Sequence, residues 1–242
     1  MLRTPCNINC RLAFTSIVLV AMAPSAPYQS VLLRVLHGAI AVLTILAMGT
    51  GFWVYNTYDK RWGSLPLPNL ADIQGIHGTI ALTLFLLFPL FAFYSFHLGD
   101  RRLVQDSSWG DLPRLDQPKG WIALHRLANT AMLLALTLAV LSGRLMKEEW
   151  LPQGDLTHLA YYAHLIGWVV AIAALAFHLL LGAKVGGIPL LLSMVQWGQR
   201  ENDTPQLWLN AIKLSQSTAL KIIEIVVFLG IILALVLPAF SA

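Results

Sequence analysis

The stretch THLAYYAHLIGWVVAIAALAFHLLL, residues 157–181, decides how the chain must be read. It holds no Asp, Glu, Lys or Arg, yet His164 and His178 lie inside it. A helix of this length, rising about 1.5 Å per residue, crosses a hydrocarbon core of about 30 Å. Lipid excludes open sheet edges because their backbone groups would go unpaired, so the stretch is a helix. Four further apolar runs, 31–54, 73–98, 121–146 and 217–239, have the same character. Of all residues 57% are hydrophobic and 12% charged, against roughly a quarter charged in soluble domains, so lipid is the solvent for most of the chain. The expected fold is an all-α integral membrane protein: a four-helix transmembrane bundle plus a fifth C-terminal transmembrane helix.

With the N-terminus on a side termed A, side B holds only Lys60, Arg61, Arg144 and Lys147 of the sixteen Lys and Arg. This bias makes side A cytoplasmic and, after five crossings, puts the C-terminus outside. A bacterial cytoplasmic membrane is the expected location. The net charge of +4 is modest, and no nucleic-acid partner is expected.

Residues 1–30 form a lead before the first span. Cys6 and Cys10 lie there, and no Cys-x-x-Cys-His occurs, which excludes covalent haem attachment and leaves them as incidental thiols. Residues 12–23, preceded by Arg3 and Arg11, resemble a signal peptide. Export would invert the charge bias, so the expectation is instead that translation begins at Met22. Residues 31–195 make the four-helix domain, and 196–242 an interfacial segment with the fifth helix.

Loop 55–72, with Tyr58, Trp62, Pro66 and Pro68, suits an ordered segment at the interface. Segment 99–120 is the most charged part and reads as a solvated or docking surface. The short loop 147–156 makes spans three and four antiparallel neighbours. Gly186-Gly187-Ile188-Pro189 should break and restart the helix, with Leu190, Leu191, Met194 and Val195 sharing an interfacial face. Thr204-Pro205 should open another helix, with room to run on into span five.

Seven histidines in so apolar a chain need a reason, because an ionisable group at membrane depth is costly. His164 and His178 are fourteen residues apart, which returns them to within ~40° of one face and separates them by ~21 Å along the axis. One helix thereby presents two imidazoles at two depths. Span one enters from side A with His37 near its start, level with His178 near the end of span four. Span two enters from side B with His77 near its start, level with His164. Two pairs result, His37 with His178 and His77 with His164, the arrangement that holds two b haems by axial imidazoles. His125 enters span three at the depth of His37 and is its rival for His178. Gly38 and Gly78, next to two of these histidines, offer room for a flat macrocycle. Arg34, Arg126 and Lys184 on side A and Arg144 on side B are candidates for pairing with haem propionates. His97 and His158 read as interfacial.

Arg34-Val35-Leu36-His37 opening the first helix, His77 opening the second and His164 with His178 on the fourth resemble the bacterial cytochrome b561 family and the di-haem cytochrome b subunits of hydrogenases and formate dehydrogenases. The resemblance covers roughly residues 30–195, and the Gly-Gly-x-Pro stretch fits the end of such subunits. It implies a four-helix bundle with two b haems that exchanges electrons with quinone. Two features depart from it: Gly38 stands where the family often has Trp, and a fifth helix is added. The expected function is transmembrane electron transfer between a redox partner protein and quinone. Its rivals are a stand-alone oxidoreductase of a small species such as superoxide, and a haem-free transporter or assembly factor.

Overall fold

The computed structural model describes residues 27–214 and 217–240. Cys6, Cys10, the run 12–23 and Met22 lie outside the described residues. Five helices are long and apolar enough to cross a membrane: α1 Val31–Tyr58, α2 Ile73–His97, α3 Pro118–Arg144, α4 Leu159–Leu192 and α5 Thr218–Val236. Among the described residues there is no strand. The outward faces are apolar, with Leu86, Leu180, Ile225 and Leu235 each more than 60% exposed, as a lipid-facing surface requires.

Three spans begin where the sequence supplies a side-chain partner for the first free amides. Ser30 Oγ accepts from Leu33 N on α1, Asp72 from Gly75 N on α2, and Ser217 Oγ from Leu220 N on α5. Pro118 sits in the first turn of α3, where its missing N–H costs nothing. α1 runs one turn beyond the apolar stretch 31–54, because Asn56 and Tyr58 still continue the helix before Asp59 ends it. Pro89 lies within α2.

α4 extends to Leu192, further than residue 181, with a break inside it. Gly187 takes φ 66°, a left-handed conformation that side chains disfavour, and the helix restarts through Pro189. The restarted turn folds back on the span, so that Leu191 lies against Gly182. The helix ends at Leu192, so Met194 and Val195 lie in the turn beyond it. The helix opened by Pro205 ends at Asn210 and does not run on into α5.

α1 packs along α2 and α3 along α4 as two hairpins, the second as the short 147–156 connection requires. The backbones of the two hairpins touch only slightly, leaving a gap between α1 and α4. α5 lies against α3 and more lightly against α2, closing one side. At Gly230 it approaches so closely that a Cβ would strike Thr137, whose hydroxyl is fixed by its bond to Leu133 O at 2.8 Å.

Polar contacts fasten both ends. On side B the buried Asp59 carboxylate accepts from Arg61 Nε at 2.6 Å and Tyr161 OH at 2.7 Å, ordering the loop after α1. On side A, Asp203 accepts from Val31 N, Tyr28 OH and Trp208 Nε1, tying the segment after α4 to the start of α1. Asp106 accepts from the Thr218 and Ala219 amides at 2.9 Å each, capping α5. His97, the last residue of α2, is buried by protein: it lies 3.2 Å from Glu224 of α5 and contacts Lys213 O at 3.1 Å. His158 caps the start of α4, stacked on Trp150 at 3.5 Å and 2.7 Å from Asp155.

Candidate functional site

Across the gap the histidines meet in two layers. The rings of His37 and His178 have centroids 6.0 Å apart at 36°, and those of His77 and His164 are 6.1 Å apart at 77°. With metal–imidazole nitrogen bonds of about 2 Å, two imidazoles on opposite sides of one metal have centroids roughly 6 Å apart. Either interplanar angle suits, because each ring turns freely about the shared axis. His125 also faces His178, with centroids 5.5 Å apart.

The second nitrogens of three rings are engaged. His178 Nδ1 lies 2.7 Å from Asn129 Oδ1. His164 Nδ1 lies 2.9 Å from Ala139 O and 3.3 Å from Ser142 Oγ. A carbonyl only accepts, so His164 Nδ1 carries the proton and Nε2 keeps its lone pair. His77 Nδ1 lies 3.1 Å from Thr50 Oγ1, which is itself 2.7 Å from Leu46 O. An acceptor at Nδ1 orients a ring and leaves Nε2 as the nitrogen available to a metal.

Small residues shape the gap. A Cβ at Gly51 would come 3.2 Å from His77 Cε1, and one at Gly143 would come 3.1 Å from His164 Cε1, so both glycines let the rings sit close to neighbouring backbone. A Cβ at Gly38 or Gly78 would meet no atom within 4 Å. Trp168, one turn from His164, reaches across the gap to donate to Met48 O at 3.0 Å. His125 Nε2 is buried without a hydrogen-bond partner.

The basic candidates are distributed differently. Both terminal nitrogens of Arg34 donate to backbone carbonyls, of Gln196 and Gly198, and its guanidinium lies over the Tyr28 ring. That turns it toward the segment after α4. Arg126 Nε donates to Arg101 O at 2.9 Å. Arg144 lies over the Phe85 ring at 5.8 Å and Lys184 over Trp121 at 5.1 Å. A recess lined by Asp116, Gln117, Pro118, Trp121, Ile122, Lys184 and Val185 opens beyond His178 on side A.

The family model for prokaryotic cytochrome b561 matches residues 28–197, more than half the chain. The chain belongs to the prokaryotic cytochrome b561 family. It is a multi-pass membrane cytochrome that binds b-type haem and carries electrons through the membrane. The haem-free reading falls with that membership. No curated protein and no solved structure matches the chain. A haem fits this site by the chain's own geometry: facing imidazoles at the required separation and oriented second nitrogens across a gap between hairpins.

Reading the sequence missed the groups that orient the rings. Asn129, Thr50 and Ser142 are polar residues inside apolar spans, and that cost was the signal available.

Proposed function

We propose that the chain holds two b haems, one toward each face of the membrane, and passes electrons between a redox partner and quinone. His37 with His178 and His77 with His164 are the axial ligands in this reading. The observation that carries it is the pair of facing imidazole sets, 6.0 and 6.1 Å apart, on opposite walls of one gap. Bound haem iron supplies one-electron ferric–ferrous cycling. The residues supply position: fourteen residues of α4 set the two sites ~21 Å apart, enough to relay charge across most of the apolar core.

His37 is preferred over His125 for a steric reason. His125 and His178 lie on α3 and α4, which pack closely as a hairpin, whereas His37 faces His178 across the gap where a macrocycle has room. The buried unpartnered nitrogen of His125 supports a role for it in bonding a propionate with Arg126 or in lining a site for quinone. Arg144 takes the corresponding place on side B. Arg34, with both terminal nitrogens committed, fastens residues 196–198 over the side A end instead.

Side A is placed in the cytoplasm by its excess of Lys and Arg. The recess lies about two helical turns beyond His178, and its mix of an aromatic and aliphatic wall (Trp121, Ile122, Val185) with the polar groups of Lys184, Gln117 and Asp116 suits a quinone head group. The test is to reduce the purified protein and mix it with a soluble ubiquinone analogue while following the α band. Reoxidation without any added protein is the expected result. A haem spectrum that stays reduced would mean that the chain delivers electrons only to a partner protein.

A further inference from the structure

Asn129 sits on α3, one turn beyond His125, at the membrane-entering end of the span. Its Oδ1 lies 2.7 Å from His178 Nδ1, and its Nδ2 donates to Arg102 O at 2.8 Å. The second bond fixes the first. The Arg102 carbonyl can only accept, so the amide must present its nitrogen there and its oxygen to the imidazole. That oxygen also only accepts, so the proton of His178 is on Nδ1 and the lone pair on Nε2. Arg102 closes the short 3-10 turn Asp100–Arg102 outside α2, where Arg101 O holds Arg126 in the same way. A chain of hydrogen bonds thus runs from a surface turn to the ring that faces His37.

The other layer is built differently. His164 donates to a backbone carbonyl, and His77 Nδ1 lies 3.1 Å from the Thr50 hydroxyl. A backbone carbonyl is fixed whatever the side chain, whereas an amide side chain is a specific choice. Partners of a ligating imidazole set its orientation and donor strength and typically change metal affinity about ten- to a hundredfold when removed.

We propose that Asn129, clamped by the Arg102 carbonyl, is the positioning residue that fixes the tautomer of His178 and sets the reduction potential of the side A haem alone. This rests on the ligation of that haem by His178. A carboxylate at the same place draws the Nδ1 proton more strongly, makes the ring a stronger donor and favours the ferric state. A hydrocarbon of the same size leaves the ring without an acceptor, weakens it as a donor and favours the ferrous state.

The experiment is a redox titration of purified, haem-loaded Asn129→Asp and Asn129→Leu, resolving the two haem components by their α bands. Asn129→Asp should lower the potential of one component and Asn129→Leu should raise it, with the other unmoved. A tenfold change in the balance of the two oxidation states is about 59 mV for one electron. Selective loss of that haem from Asn129→Leu, through about ten- to a hundredfold weaker retention, would also support the assignment if Asn129→Asp keeps its haem at lowered potential. Shifts of the same sign, equal movement of both components, no movement, or loss of the haem from Asn129→Asp would overturn it. His178→Ala separates this from the underlying reading. If that variant keeps both haems, the ligation is wrong; if it loses one and the Asn129 variants move nothing, only the role of Asn129 is wrong.

Discussion

His178 faces two imidazoles, His37 at 6.0 Å and His125 at 5.5 Å between centroids, and depth in the membrane does not separate them. What separates them is the space behind each ring. A macrocycle held through His178 would need room beside that ring, and α3 packs far more closely on α4 than α1 does. His37→Ala should therefore lose the same haem as His178→Ala, whereas His125→Ala should keep both, with at most a shifted potential. Optical spectra of the reduced single variants decide it. Loss of that haem from His125→Ala with retention in His37→Ala would require the ligand to come from α3.

Among the elements, the segment after α4 depends most on one side chain. Burial alone would raise the Asp203 carboxyl, but hydrogen bonds from Tyr28, Val31 N and Trp208, with the nearby Arg34 charge, outweigh it and hold the group below the usual carboxylate range. A carboxyl depressed in the folded state stabilises above its unfolded value of about 3.9 and loses that contribution as pH falls through the lower folded value. At neutral pH, Asp203→Asn should raise hydrogen exchange at the Val31 amide and across residues 196–210 roughly tenfold, the worth of one charge-assisted bond. Wild type should approach the same behaviour only in strong acid. Exchange in Asp203→Asn equal to wild type would mean that the segment is held by other contacts.

These elements also mark how far the sequence could be read. The five spans were legible because lipid leaves a helix as the only solution for each apolar run, and the Gly187 break because glycine and proline stand together there. His37, His77, His164 and His178 were legible from depth and from the fourteen-residue spacing. Contacts set by how separate spans pack were not. Arg34 turns to carbonyls 162 and 164 residues away, and His97 is buried by Glu224 of the added fifth helix. No local pattern specifies either. Asn129 lay between the two: its cost in an apolar span was visible, its partner was not.

In the whole molecule, two hairpins form opposite walls of a gap and the fifth helix closes one side, so electron transfer by this cytochrome b561 depends on what the gap holds. The measurement that tests this most directly is haem per polypeptide in purified wild type, His164→Ala and His178→Ala, expressed with ample haem. About two b haems in wild type and about one in each variant, with the helices still inserted, is the predicted result, because ligands ~21 Å apart serve different irons. A dithionite-reduced wild type without Soret or α band, or unchanged haem content in either variant, would contradict it.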